Sequence, residues 1–438
     1  MRIIHFGDIH YNEKDYQEID KCMSFIIEKC IEGKPDVIIC PGDIINSQYL
    51  GADTKSMKAV QTQFRELSDI APIAVVAGTF SHDGLAPELL RSVAGKYPIW
   101  VSTKPEQIYL VRKNWVDQTD IQNLSDVLVD LVVTHIPPMT KEHWKNKQGI
   151  EKDNQNISKA MGSIFASFGE MAKGYKCPHI LSGHFAMQGS MISEHQMLPG
   201  GDISIGKDML AMANADLNCL SHIHRAQEYD LPNGKKAFHS GSIYRKNFGE
   251  RNEDKGFYIH DLVSNLKMVR GEEDKKTRTV EYHAEGEGHT LTSEFVKTPT
   301  RHMTEHILDL IKAPWLLEEG HRPVHEEVAD ILSEWCRIGA WIKIKITIFM
   351  DDVRLINQSK LKSELLDAGA GHVKIEIDRV RRENSREDDI IRAVGLVDKV
   401  KALEKHRSQP APDGVMEMLE QVEVLSPDDL VKYGVGRL

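Results

Sequence analysis

Short apolar runs that each stop at an Asp or a His constrain the fold of this chain more than any other feature. In order, the run ends carry Asp8 and His10 (FGDIH), Asp43 (CPGDIIN), His82 with Asp83 (GTFSHDG), His184 (ILSGHF), and His222 with His224 (CLSHIHRAQ). Runs of this length read as buried strands. Ending them in carboxylates and imidazoles is costly unless something pairs with those groups. Divalent ions are the usual compensation, and two of them sharing one carboxylate make a centre able to cleave phosphoesters.

Between the runs lie helical patterns. Residues 16–32 carry apolar positions at helical spacing, and Gly33 and Pro35 stop them. A second helix is predicted around MKAVQTQFRELSDI, before the strand PIAVVAG. Alternation of this kind predicts an α/β layered domain whose chemistry sits in the loops after the strands. VLVDLVVTH is a further buried strand, and the polar stretch 140–159 after it reads as a mobile surface loop.

The 438 residues exceed one ordinary core, so two or three domains are expected. The composition shifts near residue 265, where RGEEDKKTRTVEYHAEGEGH reads as a charged loop. The expected division is 1–265, then a linker and small α+β domain over 266–393, then a helical tail over 394–438. Within the middle part the pattern predicts helices at 303–313, 324–337 and 358–368, alternating with the strands WIKIKITI and HVKIEIDRV. The segment RRENSREDD reads as a solvated linker.

Hydrophobic residues at 41% and charged residues at 28% belong to a soluble globular protein. No signal segment and no membrane-length apolar stretch is present, which predicts a cytoplasmic protein with no membrane partner. The six cysteines form no CxxC pair, which argues against a disulfide framework or a zinc knot. A net charge of −11 argues against a free-standing, high-affinity nucleic-acid binder, yet a partner subunit could supply a basic track.

Asp8 with His10, and His222 with His224, each lie two apart, so each pair can converge on one ion just after a strand. Singly these are weak signals. Together, with carboxylates first and imidazoles last, they describe a mixed oxygen and nitrogen ligand set. That set suits Mn²⁺ or Fe²⁺ better than a thiolate zinc site would.

The order GD-x-H, GD, Gly-to-His-Asp, GH, H-x-H resembles the calcineurin-like metallophosphoesterase superfamily. SHIHRAQ followed by FHSGSIYRKNFGE, together with TPTRHM, resembles its SbcD-type nuclease subunits, which act in DNA double-strand-break repair. The resemblance implies a layered β-sandwich domain flanked by helices, a small α+β capping domain and a helical tail. It implies that Asp8, His10 and His224 hold one ion, His184 and His222 a second, and that Asp43 bridges them. Two divalent ions are implied, Mn²⁺ first, with Fe²⁺ or Mg²⁺ as alternatives. His82 would protonate the leaving group or orient the scissile phosphate, work for which an imidazole is suited near neutral pH. The partners implied are DNA ends and an SbcC-like SMC-family ATPase docked on the tail, with a homodimer also possible in the family. The family pattern at the second ion is Gly-Asn-His. Here the segment is Gly78-Thr79-Phe80-Ser81-His82, two residues longer, and Ser81 is the nearest oxygen donor to His82.

Several residues stay open on sequence. His135, at the end of VVTHIPP, competes with His184, which the GHF context favours. His239 reads equally as a core histidine or a substrate contact. Arg225, Tyr244, Arg245 and Lys246 are candidates for phosphate contact. Three functions compete: a metal-dependent DNA nuclease subunit, a phosphodiesterase for small nucleotides or other phosphodiesters, and a DNA-end-binding subunit with weakened catalysis.

Overall fold

The computed structural model describes every residue except 50, 123–128, 140–153, 199–202, 266, 275–278, 286–287, 314–322, 334–337, 383–389, 391, 408–409, 413, 427–428 and 430–438. The chain forms two compact units. The first is Met1–Thr304 with Arg337–Trp341, and the second is Glu305–Cys336 with Ile342–Leu438.

The first unit is built on two sheets. One has six strands in the order His289–Lys297, Gly256–Ser264, Arg2–His5, Val37–Cys40, Ile73–Val76, Ile99–Ser102. Its last four strands run parallel, as the strand–helix alternation requires. The other has seven, in the order Gln227–Asp230, Lys236–His239, Leu217–Ser221, His179–His184, Leu131–Ile136, Glu106–Val111, Asn114–Val116.

Successive strand residues point to opposite faces, and the cores follow that period of two. Ile3, Val37, Ile39 and Ala74 meet Leu131, Val133, Ile180, Leu217 and Phe238 between the sheets. Their neighbours Ile4, Ile38, Ile73 and Val75 pack outward on the helices Tyr16–Gly33 and Lys55–Ile70. Met161 and Phe165 of helix Asn154–Ala172 cover Leu181 and Leu220 of the second sheet. The result is the layered β-sandwich flanked by helices that the family resemblance implies.

Two expectations for this unit are corrected. The charged stretch after residue 265 is a hairpin, Lys267–Asp274 paired with Thr279–Glu285, rather than a loop. Backbone pairing between the two strands decides it, which composition alone does not reveal. From Asn154 the stretch expected as a loop is helix, while 140–153 falls outside the described residues.

The second unit holds a three-stranded sheet, Met303–Asp309, Trp341–Phe349 and His372–Val380 in that order. Ile342, Ile344, Ile346 and Ile348 of the central strand pack on Val324–Ser333 and Gln358–Asp367. The opposite face carries Lys343 and Lys345, paired with Glu305 and Glu376. Met303–Asp309 is an edge strand where helical spacing was expected over 303–313. A vacant edge beside Trp341–Phe349 overrides a weak local preference. Two helices, Leu396–Arg407 and Val415–Glu423, follow, and the Val397 N–H donates to the Glu423 carboxylate. The expected linker RRENSREDD lies almost wholly outside the described residues. Among those described, no helix is long and apolar enough to cross a membrane.

Candidate metal centre

The strand ends of both sheets meet at one edge of the first unit. Asp8, His10 and His224 form one buried group of donor atoms, and Asp43, His184 and His222 form another. His10, Asp43 and His82 make a third group that links them. All seven of these residues were singled out on sequence, and the fold brings all seven together.

The backbone is bent hard to do this. Asp8, His10, Asp43 and His222 have φ of 49°, 50°, 52° and 94°, a region that side chains with a Cβ rarely adopt. Each costs about 1–3 kcal/mol and persists only where surrounding structure enforces it. The loops after the first two strands enforce it by pairing. The N–H groups of Asp8, His10 and Tyr11 donate to the carbonyls of Gly42, Asp43 and Ile44 at 3.0, 2.9 and 2.9 Å. The His222 N–H donates to both Asp8 carboxylate oxygens at 3.1 and 3.0 Å, tying the second sheet to the first.

Close backbone approach explains the glycines in these motifs. A Cβ on Gly78 would lie 2.1 Å from the Asp43 nitrogen, and one on Gly42 would lie 2.6 Å from the Gly78 backbone. Asp83 locks the same corner, accepting from the N–H groups of Asp43, Ile44, Ile45 and Gly78 at 3.0, 2.7, 3.0 and 2.7 Å. Burial and the neighbouring Asp43 push Asp83 up to about 7, against the pull of those donors.

Hydrogen bonds at the outer ring nitrogens orient two of the histidines. His184 Nδ1 donates to the Pro41 carbonyl at 2.7 Å, which turns Nε2 inward. That Nε2 lies 3.4 Å from Asp43 Oδ1 and 3.2 Å from both His222 Nδ1 and Thr79 Oγ1. His224 Nδ1 faces Glu250 at 3.2 Å, which turns its Nε2 to within 3.0 Å of His10 Nε2. His10 Nδ1 is buried with no protein partner.

Electrostatics separate the two groups. Burial holds His10 and His224 below the usual imidazole range, so they are neutral donors. Burial also works against protonated His184, but the Asp43 carboxylate, Asp8 and the Pro41 carbonyl outweigh it and push His184 up to about 9. Asp43 is buried, yet its histidines hold it well below the carboxylate range. Buried imidazoles converging on an ionised carboxylate, with His184 free to exchange its extra proton for a cation, are a donor set that fits divalent ions of the Mn²⁺, Fe²⁺ or Zn²⁺ kind.

The centre opens into a cleft of about 560 Å³ lined by Asp43, Thr79, Ser81, His82, His222 and His224 on one side. His195, Gln196, Met197, Leu198, Lys246 and Asn247 complete the lining. His82 is half-buried, with Nδ1 3.3 Å from the Asn46 carbonyl. The Asn46 side chain accepts from Lys246 Nζ at 3.3 Å. Ser81 lines the cleft from an exposed position.

The remaining candidates separate. His135 is outside the donor groups, buried against the Ser102 hydroxyl and pushed down to about 3 by burial. His239 is a satisfied core histidine, between the Tyr229 hydroxyl and the Phe185 carbonyl, both at 3.0 Å. Arg245 is committed to the carbonyls of Glu253 and Arg301, and Tyr244 is buried against Asn12. Arg225 is exposed, and Lys246 is the one of the four in the cleft lining.

Sequence reasoning missed the residues that brace the H-x-H loop. Gln196 donates to the His222 carbonyl at 2.6 Å and accepts from the His224 N–H at 3.1 Å. Lys255, fully buried, pairs with Glu250 at 3.1 Å and donates to the His224 carbonyl at 2.9 Å. Glu250 closes the motif FHSGSIYRKNFGE, which was a signal. Gln196 lies in a stretch with none. A separate buried group, His5, Cys219 and His260, lies between the sheets. There Ser293, His260, His5 and the Leu220 carbonyl form a closed hydrogen-bonded chain at 2.7, 3.4 and 3.2 Å.

The calcineurin-like phosphoesterase family matches residues 1–226, more than half of the chain, and the chain belongs to that family of metal-dependent phosphoesterases. It is similar to the SbcD subunit of the nuclease SbcCD from Staphylococcus epidermidis (strain ATCC 12228 / FDA PCI 1200). The two are 23% identical over 280 residues, which is 60% of this chain and 67% of that protein. A solved dimetal phosphatase from Danio rerio is 9% identical, covering 68% of this chain and 99% of its own, with a TM-score of 0.36.

Proposed function

We propose that this chain is the nuclease subunit of an SbcD-type assembly, a two-metal phosphodiesterase that cleaves DNA at its ends. The observation that carries the reading is the sharing of Asp43 between a group containing His10 and a group containing His184 and His222. Asp8, His10 and His224 would hold one ion, His184 and His222 the other, with Asp43 common to both. Two divalent ions there, Mn²⁺ first, would polarise the phosphoryl oxygens and lower the pKa of the attacking water.

The chain's own residues do the rest. His82 Nδ1 donates to the Asn46 carbonyl, which fixes the ring so that its other nitrogen, once it has taken a proton to form the imidazolium, would pass that proton to the leaving oxygen. Lys246, held by Asn46 in the cleft lining, places a cation beside the incoming phosphate. Similarity to the staphylococcal nuclease subunit supports DNA as substrate and an SbcC-like ATPase as partner. The helices from Leu396 onward are then the docking element, and the three-stranded unit, which begins at Glu305 and not at 266, corresponds to the family's capping domain.

A second reading, a phosphodiesterase for small nucleotides, is favoured by the charge of −11, which gives little general attraction to a phosphate backbone. One assay separates them. Purified protein with Mn²⁺ is given linear duplex DNA, single-stranded DNA and a small chromogenic phosphodiester, with and without the ATPase partner. Cleavage of DNA is expected. Hydrolysis of the small ester alone, under both conditions, would leave the second reading.

A further inference from the structure

We infer that Thr79, not Ser81, supplies the neutral oxygen ligand beside His184 and His222. The inference rests on the two-metal reading above and adds one residue to it. Thr79 Oγ1 lies 3.2 Å from His184 Nε2, the ring nitrogen turned inward because Nδ1 is held by the Pro41 carbonyl. Asp43 Oδ1 lies 3.4 Å from the same nitrogen. Three donor atoms of three different residues therefore converge, one hydroxyl, one imidazole and one carboxylate.

The position of Thr79 is fixed from every side. Its N–H donates to Asp43 Oδ1 at 2.6 Å. Its carbonyl accepts from His82 and Asp83, both at 2.9 Å, as the cap of the short helix Phe80–Asp83. The preceding Gly78 is held by Asp83 at 2.7 Å and has no room for a side chain. A β-branched residue on that backbone has little freedom at χ1, so its hydroxyl is aimed before any ion arrives.

The same helical turn removes Ser81. Phe80 and Ser81 are the outer residues of the turn, both exposed, and the Ser81 carbonyl accepts from the Gln48 N–H at 3.3 Å. The turn carries the chain outward and brings His82 back into the donor group with His10 and Asp43. Nearness in sequence to His82 is thus the wrong guide to the ligand. A hydroxyl is a weaker donor than a carboxylate or an imidazole, so this site holds its ion less tightly than the site of Asp8, His10 and His224.

The test uses the full chain and Mn²⁺ alone, with free Mn²⁺ and the spin-coupled pair followed by electron paramagnetic resonance. Wild type is expected to take up two ions in two steps, and to show a coupled pair at the second. In Thr79→Val the first step is unchanged and the second weakens by about tenfold or more. Thr79→Ala, which opens space instead of filling it, gives the same loss, and Thr79→Ser restores the second step. Ser81→Ala titrates like wild type. Unchanged binding in both Thr79→Val and Thr79→Ala, or loss of the second step in Ser81→Ala, overturns the inference while leaving the two-metal reading intact. Fewer than two ions in wild type overturns the reading itself.

Discussion

At the residue scale, the centre is a set of individually unfavourable choices that only one another can justify. Four non-glycine residues sit at positive φ, and Asp43, Asp83 and Glu250 are carboxylates with almost no exposure. Each is tied down by backbone donors or by a buried partner, such as Lys255 for Glu250, so removing one tie exposes the cost of the others. Gly78 is the sharpest case because a methyl group there meets the backbone of Asp43 rather than a movable side chain. Gly78→Ala is expected to lower the free energy of unfolding by about 3 kcal/mol and to abolish Mn²⁺ binding. Chemical denaturation and metal titration of the variant check both; wild-type values in either would mean that the corner has room to yield. The residues that converge at the centre were legible in the sequence because a buried run rarely ends in a carboxylate or an imidazole unless an ion or a buried partner receives it. Thr79 and Gln196 were not, since a single helical turn or an irregular loop leaves no periodic trace of which side chain points inward.

At the element scale, strands were recognisable where a short apolar run met turn residues, as in Val37–Cys40 ending at Gly42-Asp43. They were hidden where a partner decides the matter, as in the edge strand Met303–Asp309 and the charged hairpin over 267–285. Asp216 shows how elements are joined away from the site. It precedes strand Leu217–Ser221, accepts from the His179 N–H at 3.1 Å, and pairs with Lys235 at 2.7 Å and His289 at 3.1 Å. Burial opposes its ionised form, but His289, Lys235 and the His179 N–H outweigh that and hold its carboxyl down to about 2. A folded-state pKa below the unfolded value stabilises the fold above the unfolded pKa, near 4, and the benefit fades as pH falls toward 2. Wild type is therefore expected to exceed Asp216→Asn in stability by about 2 kcal/mol at pH 5–7, with the gap closing between pH 4 and pH 2. Denaturation curves of the pair across that range check it. A gap that is constant with pH would assign the difference to packing and not to charge.

At the scale of the whole molecule, an acidic chain lines one cleft with Lys246 and with Asp43, the carboxylate common to two of the donor groups. The proposed catalysis by two ions would depend on that carboxylate. Asp43→Asn keeps the size and shape of the side chain and removes the charge that both ions would share. The measurement is turnover of a small chromogenic phosphodiester at saturating Mn²⁺, which needs neither DNA nor a partner subunit. The expected result is a loss of about three orders of magnitude or more, on the order of 4 kcal/mol of transition-state stabilisation, with the variant still folded. An Asp43→Asn protein that turns over within a few-fold of wild type would contradict a centre built on two ions.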